Sequence, residues 1–284
     1  MTIKAFSKYH ALGNDYLVVE PVDGGTELTP DSIRRICDRH YGVGSDGLLV
    51  GPFDTPDADF ALALYNPDGS AFEKSGNGLR IFARYLWDTG RVDEEPFTIS
   101  TPGGVVTAQV HRGGTRVTVE MGHVSFHSST IPVAGPPREV LDETMEVAGQ
   151  IVRYSCATIG NPHCIVQRDE VDAHEARTLG PLIENDPRFP NRTNVQFMEW
   201  LDRSRIQIEI WERGAGYTLA SGSSSCAAAA VAHRLGLCDA NVTVYMPGGA
   251  IEIEIARNWA VTMTGAVTRV CEGRISAEMF TCAT

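Results

Sequence analysis

Apolar and polar residues alternate in many short stretches of this chain. A period of two is typical of β-strands that bury one face, because successive side chains of a strand point to opposite sides. The alternation predicts strands at 2–7, 16–20, 60–65, 105–110, 116–120, 151–156, 164–167, 205–211, 242–245 and 250–255. Strands should therefore outnumber helices.

Other stretches have the period of an α-helix. They are 31–40, 78–88, 173–185 and 224–237. The first follows a capping Thr29, and the third contains Pro181, which carries a risk of breaking the helix. The second and fourth of these are apolar on most faces, which predicts that each is enclosed by a sheet. Helices and strands do not alternate strictly, so the pattern favours an α+β fold over a doubly wound parallel sheet.

The most extended pattern in the chain is an internal repeat. The segment Ser75-Gly76-Asn77-Gly78 returns in the second half as Ser221-Gly222-Ser223-Ser224. Other pairs keep the same order, namely Gly13-Asn14 with Gly160-Asn161, Tyr65-Asn66 with Trp211-Glu212, and Pro102-Gly103-Gly104 with Pro247-Gly248-Gly249. A period of half the chain indicates a duplicated domain. We therefore expect two pseudo-symmetric halves, each presenting one Ser-Gly helix start to a shared ligand.

Composition and charge narrow the class of protein. With 284 residues, 43% of them hydrophobic, the chain is long enough for two domains with proper cores. The net charge of −12, without a stripe of Lys and Arg, argues against a nucleic-acid partner and favours a small molecule. The N-terminal residues lack a charged-then-apolar leader, and no apolar run approaches the roughly 18 residues of a spanning helix. We expect a cytoplasmic protein without a membrane partner.

The cysteines give no sign of a disulfide framework. They are Cys37, Cys156, Cys164, Cys226, Cys238, Cys271 and Cys282. Their number is odd, their spacing is irregular, and they form no Cys-x-x-Cys pair. This predicts reduced thiols and no metal site.

Each Ser-Gly segment precedes an apolar helical pattern. The N-terminus of a helix has backbone N–H groups without intrahelical partners and the positive end of the helix dipole, so it binds anions such as a carboxylate. Alternatively, Ser75 and Ser221 serve only as N-caps, a role in which serine is common. The duplicated context favours the anion receptor.

Several motifs together resemble one known family. They are Gly13-Asn14-Asp15, the segment 38–47, Asn66-Pro67-Asp68-Gly69-Ser70, Ser75-Gly76-Asn77-Gly78 with Arg80, Gly160-Asn161-Pro162-His163, Thr193-Asn194-Val195 and Trp211-Glu212-Arg213-Gly214. In these residues, and in their order over most of its length, the chain resembles the diaminopimelate epimerases.

The resemblance implies a fold of two halves, each a curved, mainly antiparallel sheet or barrel around a central helix. The halves would be 1–123, completed by 272–284, and 124–271. It also implies a homodimeric isomerase of amino-acid metabolism, an epimerase or racemase of lysine biosynthesis that uses no cofactor. In such enzymes one thiolate removes the α-proton of an amino acid, while a second thiol delivers a proton to the opposite face.

The chain departs from this family at the catalytic positions. Ser75 and Ser221 stand where the family carries its two catalytic cysteines. A thiol has a pKa near 8.5, which a helix N-terminus lowers, whereas an aliphatic hydroxyl is a far poorer acid. Tyr217 stands where the family has Glu, and it could modulate proton transfer or only pack. Glu212 and His163 remain candidate acids or bases.

The resemblance also implies a set of substrate contacts. Polar ends of the substrate would meet Asn14, Asn66, Asn161, Asn194, Glu212 and Arg213, and its reacting carboxylate would meet the amides around Gly76, Asn77, Gly222 and Ser223. Arginine suits a bidentate carboxylate contact. Each asparagine could instead brace a turn, where this residue is common.

Two further segments are interpreted as structural. Cys226, five residues after Ser221, is expected to point into the core. The segment 42–47 has the Gly-x-Gly-x-x-Gly pattern of dinucleotide sites. It follows a helical segment and precedes a strand, which is the reverse of the required context, so it predicts a turn.

Three interpretations stay open at this point. The first is an isomerase that moves protons at Cα with a Ser/Ser pair, or a related lyase or hydrogen-shift enzyme that uses Glu212, His163 or Tyr217 as its base. The second is a diaminopimelate epimerase inactivated by Cys→Ser replacement at both positions. The third is a non-catalytic amino-acid-binding paralogue.

Overall fold

Strands dominate the computed structural model, which describes residues 2–22 and 24–281 and has an α+β fold. The chain divides into two compact units, Met1–Val119 with Gly265–Thr284 (unit 1) and Glu120–Thr264 (unit 2). No helix among the described residues is long and apolar enough to cross a membrane. The six cysteines in the described part have free thiols, and Cys282 lies outside it.

Unit 1 is built around one large sheet. In chain order its elements are β1 (Thr2–Ile3), β2 (Ala5–Ala11), β3 (Asn14–Val19), β4 (Thr26–Glu27), α1 (Pro30–Cys37), β5 (Leu48–Phe53), β6 (Phe60–Tyr65), β7 (Ala71–Phe72), α2 (Gly76–Asp88), β8 (Phe97–Thr101), β9 (Gly104–His111) and β10 (Arg116–His123), whose last residues pass into unit 2. The pairs β3–β5 and β6–β8 are parallel, whereas β2–β3, β5–β6, β6–β7 and β8–β9 are antiparallel.

Unit 2 repeats this plan. Its elements are β11 (Glu143–Val147), β12 (Gln150–Thr158), β13 (Pro162–Arg168), α3 (Ala173–Glu184), β14 (Asn194–Asp202), β15 (Arg205–Glu212), β16 (Gly216–Thr218), α4 (Gly222–Arg234), β17 (Asn241–Met246), β18 (Gly249–Ile255) and β19 (Ala260–Ala266), which ends just inside unit 1. The pairs β13–β14 and β15–β17 are parallel, whereas β12–β13, β14–β15, β15–β16 and β17–β18 are antiparallel. The chain then returns to unit 1 as β20 (Thr268–Arg274), which pairs with β2, and ends its described part after a 3-10 helix at Ala277–Phe280.

The duplication extends to the register of single residues. In unit 1, Val18 of β3 lies opposite Leu49 of β5. In unit 2, Ile165 of β13 lies opposite Gln196 of β14, and both residues are displaced along the sequence by the same interval. Because the helices also fall between equivalent strands, a residue of one unit has an identifiable counterpart in the other.

Each unit encloses one central helix. The first residues of α2, from Gly76 to Ala83, are all buried, and this helix packs against β2, β3 and β9. In α4 the run from Cys226 to Ala232 is fully enclosed among β12, β14 and β18. Alanine has high helix propensity and a small side chain, so this run allows the surrounding strands to approach closely. The expected core position of Cys226 agrees with this burial.

The observed elements correct several sequence expectations. Helix α1 ends at Cys37 rather than at residue 40, because the Asp38 carboxylate accepts the backbone N–H groups of His40 and Tyr41 and turns the chain. The helix predicted at 173–185 is confirmed as α3, and the risk of a break at Pro181 is not realised. In a helix, the Cβ of the residue before a proline normally clashes with the proline ring, and Gly180 has no Cβ. That glycine packs directly on the Trp211 side chain.

Candidate active site

The two Ser-Gly segments form matching helix starts, one in each unit. Ser75 caps α2 with φ −138° and ψ 122°, and Ser221 caps α4 with φ −144° and ψ 124°. Each hydroxyl oxygen accepts the N–H of the third helical residue, from Gly78 at 3.0 Å and from Ser224 at 3.4 Å. A hydroxyl that accepts one such bond still has its own proton to donate. Both serines are therefore N-caps, and this role leaves a donor at each helix start.

In unit 1 the first turn of α2 is tied to the β2–β3 turn. Asn77 donates from Nδ2 to Asn14 Oδ1 at 2.9 Å, and Asn14 donates from Nδ2 to Asp46 Oδ2 at 2.9 Å. The Arg80 guanidinium, fully buried, donates to Asn77 Oδ1 at 2.6 Å. The structure thus brings Asn14 and Asn77, both expected at the site, into one hydrogen-bonded chain beside Ser75.

An ion-pair cluster adjoins this series of hydrogen bonds through Asp46. Asp15 contacts Lys8 at 2.8 Å and Arg39 at 2.7 Å, and Arg39 also contacts Asp46 at 2.6 Å. Burial would raise the pKa of Asp15, but the hydrogen bonds from Arg39 and Lys8 outweigh it and hold the pKa below its usual value. The cluster fixes the segment 42–47, which forms a turn after α1 as expected.

We predict that Asp15→Asn flattens the acid dependence of stability. A carboxylate with a depressed pKa stabilises the fold above its unfolded pKa of about 3.9, and this stabilisation is lost as pH falls toward the folded pKa. The free energy of unfolding in urea, measured between pH 2 and pH 6, should therefore fall less steeply in the variant. An unchanged slope would contradict the role assigned to Asp15. The exposed Asp57→Asn substitution is the matched control.

Asn66 has a different environment from Asn14 and Asn77. It lies after β6, in a turn where its Nδ2 donates to Ser70 Oγ at 3.0 Å and its backbone N–H donates to the Ser70 carbonyl at 2.8 Å. Its side chain therefore braces a turn, and a further contact with substrate stays a prediction.

In unit 2 the first turn of α4 is tied to the β12–β13 turn. Asn161, the counterpart of Asn14, donates from Nδ2 to Ser223 Oγ at 3.4 Å. Its Oδ1 lies 2.9 Å from His163 Nε2. His163 is completely buried, and burial, with a contribution from the Arg213 charge, lowers the pKa of its imidazole to about 3, although the neighbouring Gln196 side chain opposes this shift. The ring is therefore neutral at physiological pH.

The turn that carries Glu212 and Arg213 is held by buried groups. Asn194 accepts the backbone N–H of Arg213 at 2.9 Å and donates from Nδ2 to the Pro162 carbonyl at 2.8 Å. The Glu184 carboxylate, at the end of α3, accepts the N–H of Gly214 at 2.9 Å and Trp211 Nε1–H at 2.7 Å. Asn194 thus braces two segments of the site.

Arg213 and Glu212 both lie half-buried at the end of β15. The Arg213 guanidinium donates to the Asn191 carbonyl at 3.0 Å. An arginine uses only part of its five N–H donors in one such bond. The remaining donors suit a substrate carboxylate.

Tyr217 is held by a hydrogen bond and by a cation–π contact within unit 2. Its hydroxyl donates to Glu209 Oε2 at 2.6 Å, and the Arg177 guanidinium lies 3.8 Å from the centre of its ring. Burial and this hydrogen bond raise the pKa of the phenol to about 12. The geometry favours the packing role that the sequence left open for this residue.

Three polar residues of these clusters were not singled out from the sequence. They are Asp46, Glu184 and Gln196. Asp46 lies inside the motif 38–47 and Gln196 follows the motif Thr193-Asn194-Val195, so the family resemblance was a usable signal for both. Glu184 lies in the last turn of a helix with no motif nearby, and only the fold reveals its contacts.

Comparison with known proteins gives one consistent family. The family model described as diaminopimelate epimerase matches residues 6–127 and 155–270. Diaminopimelate epimerase 2 of Nostoc sp. (strain PCC 7120) is 58% identical over 97% of this chain and 96% of its own. Diaminopimelate epimerase of Synechocystis sp. (strain PCC 6803) is 40% identical over 95% of this chain and 98% of its own.

Solved structures with low sequence identity share the fold. A probable proline racemase from Agrobacterium radiobacter K84 superposes with a TM-score of 0.71 at 18% identity, covering 98% of this chain and 94% of its own. A Bacillus anthracis protein of the PhzF phenazine-biosynthesis family superposes with a TM-score of 0.67 at 16% identity, covering 97% of this chain and all of its own. These likenesses bear on the fold alone.

Proposed function

Because this chain belongs to the diaminopimelate epimerase family, we propose that it moves a proton at the α-carbon of an amino acid with the Ser75 and Ser221 hydroxyls as its two flanking groups. The chain is a cofactor-independent isomerase that acts on amino acids. The substrate proposed for the first test is L,L-diaminopimelate, because the relatives of this chain are named as diaminopimelate epimerases.

The matched geometry of the two caps is the observation that carries this proposal. Both serines have nearly the same backbone angles, and both hydroxyls accept the amide of the third helical residue. Each is followed by helical N–H groups and the positive end of a helix dipole, which stabilise negative charge. Such a setting favours a substrate carboxylate and the charge that develops when an α-proton leaves.

The chemistry requires one bond to break and one to form at the same carbon. One flanking group takes the α-proton, the electron pair of that C–H bond remains on the substrate, and the opposite group returns a proton to the other face. A serine hydroxyl can donate its proton, but it is a weaker acid than a thiol and supplies little of its anion. The accepting serine must first lose its own hydroxyl proton to water, so that its alkoxide can take the α-proton. We therefore propose slow proton transfer, limited by the small fraction of that serine present as the alkoxide.

The neighbouring groups support serine as the flanking residue rather than another base. His163 is neutral and enclosed, and Tyr217 is bonded to Glu209. These contacts argue against a lyase or hydrogen-shift reaction that uses either residue. Glu212 stays a candidate to assist at the second helix start.

Solvent deuterium incorporation tests the proposal. L,L-diaminopimelate is incubated with the protein in deuterated water, and proton NMR follows the α-proton and any new product. We expect slow loss of the α-proton signal in the wild type. The double variant Ser75→Ala with Ser221→Ala should show no such loss. Binding by calorimetry without exchange would overturn the proposal in favour of an amino-acid-binding paralogue. Formation of an eliminated product would overturn it in favour of a lyase.

A further inference from the structure

A buried polar pair in unit 2 lies beneath the start of α4. Gln196, on β14, is completely buried, and its Nε2 lies 2.9 Å from Ser224 Oγ in the first turn of the helix. Its Oε1 is a buried atom without a hydrogen-bond partner, and so is Nδ1 of His163. Buried polar atoms are normally paired, so two orphans in one cluster need an explanation.

The neutral state of His163 limits the arrangements of this cluster. Asn161 Oδ1 can only accept, so the contact at 2.9 Å places the single ring proton of a neutral imidazole on Nε2. Nδ1 is then an acceptor that lacks a donor. The Gln196 side chain is close enough to the imidazole to influence its charge, and its own Oε1 also lacks a partner. The oxygen and nitrogen of a side-chain amide are assigned from the hydrogen bonds that they form. Turning the Gln196 amide by half a turn exchanges Oε1 and Nε2, and the Nε2–H group then serves as the donor to Nδ1.

We propose that Gln196 is a positioning residue that donates from Nε2 to His163 Nδ1 and accepts the Ser224 hydroxyl proton at Oε1. With this one reversal of the Gln196 amide, both atoms that lacked a hydrogen-bond partner gain one. Hydrogen bonds then run from Ser224 through Gln196, His163 and Asn161 to Ser223. The series begins and ends in the first turn of α4.

The opposite tautomer fits less well. A proton on Nδ1 of His163 would be donated to Gln196 Oε1, and the Asn161 amide would have to reverse so that its nitrogen faces Nε2. Ser224 would then only accept from Gln196, and its buried hydroxyl proton would have no acceptor among the described residues. An unpaired buried donor costs about 1–3 kcal/mol.

Unit 1 shows that the fold does not require this polar pair. The counterparts of Gln196 and Ser224 are Leu49 and Gly78. A Cβ added to Gly78 would lie 3.2 Å from Leu49 Cδ2, so strand and helix approach each other closely there through apolar contact. The same meeting of strand and helix is thus polar in one unit and apolar in the other. A role in the site accounts for the difference.

That role is the orientation of Asn161, and it rests on the proposed function. With Oδ1 occupied by His163, Asn161 presents its Nδ2 donors at the helix start. It would therefore recognise an acceptor group of the substrate, such as a carboxylate oxygen. His163 acts through Asn161 and does not itself move a proton of the substrate.

Nitrogen NMR of protein with 15N-labelled histidine tests the tautomer without any ligand. The chain has eight histidines, and His163→Asn identifies the resonance by its loss. We expect the wild-type ring to carry its proton on Nε2 from pH 5 to pH 8. In Gln196→Glu a carboxylate faces Nδ1 and cannot donate, so the proton should move to Nδ1 or the ring should become charged. Gln150→Glu, at an exposed position, should change nothing.

A second variant transplants the pair of unit 1. Gln196→Leu with Ser224→Gly should keep the far-UV circular dichroism spectrum, while the dissociation constant for L,L-diaminopimelate rises about tenfold, as loss of one net hydrogen bond implies. A wild-type proton on Nδ1, or a ring unaffected by Gln196→Glu, would overturn the proposal. Because the NMR readout needs no substrate, it separates this failure from failure of the proposed function. If the transplanted variant does not fold, the wild-type tautomer decides.

Discussion

Replacing Ser75 and Ser221 together with cysteine should accelerate exchange of the substrate α-proton by about 10²–10⁴-fold, the range of a well-placed general acid or base. The two caps already hold their oxygen atoms at helix N-termini. A thiol at such a position has its pKa lowered from about 8.5, so a substantial fraction becomes thiolate near neutral pH. The measurement is the rate of deuterium incorporation into L,L-diaminopimelate.

The single variants divide this effect into its parts. Ser75→Cys or Ser221→Cys alone supplies one base, so each should increase exchange at one face more than it increases full inversion. Ser276→Cys is a matched control, because Ser276 is also an N-cap serine but caps the 3-10 helix near the end of the described chain. A double variant no faster than the wild type would contradict the assignment of these serines to the acid and base positions.

Replacing Glu184 with alanine should lower the free energy of unfolding by about 2–3 kcal/mol. This carboxylate is 4% exposed and accepts hydrogen bonds from Trp211, Gly214 and Arg192. Its removal leaves the half-buried indole N–H without its acceptor. The exposed Gly214 N–H can turn to water, which is why the expected loss is not larger. Urea unfolding with an unchanged m-value measures the effect.

Two further substitutions check the source of that loss. Arg192→Ala should lower the free energy of unfolding by less than about 1 kcal/mol, because the Arg192 side chain is 54% exposed and exposed ion pairs contribute little to stability. Glu184→Gln keeps one acceptor oxygen and should fall between the two. If Glu184→Ala is no worse than Arg192→Ala, the carboxylate does not brace the turn that carries Glu212 and Arg213.

Most of the fold was readable from periodicity and repetition. The strand 60–65 was predicted with its observed bounds, and the four helices were found with errors only at their ends. Several strands were missed, among them Phe97–Thr101, Glu143–Val147, Ala260–Ala266 and Thr268–Arg274. Two others, Leu48–Phe53 and Asn194–Asp202, show one physical reason. Each begins with a run of residues buried on both faces next to a parallel neighbour, so the expected alternation is absent.

The site was only partly readable. The helix starts follow from Ser-Gly at the head of an apolar helix, and the paired asparagines follow from the repeat. The state of His163 does not, because its burial depends on strand register and on the packing of α4 above it. For Gln196 the only signal is its place next to the motif Thr193-Asn194-Val195, since a single glutamine within an apolar run has no period of its own.

The return of the last strand determines when each unit can be completed during synthesis. Unit 2 is contiguous in the chain, whereas β2 of unit 1 must wait for β20 to leave the ribosome before that pairing can form. Domains generally acquire structure as their residues emerge. The N-terminal unit is therefore the one finished last, and its early strands remain an open edge that other nascent chains could join while translation continues.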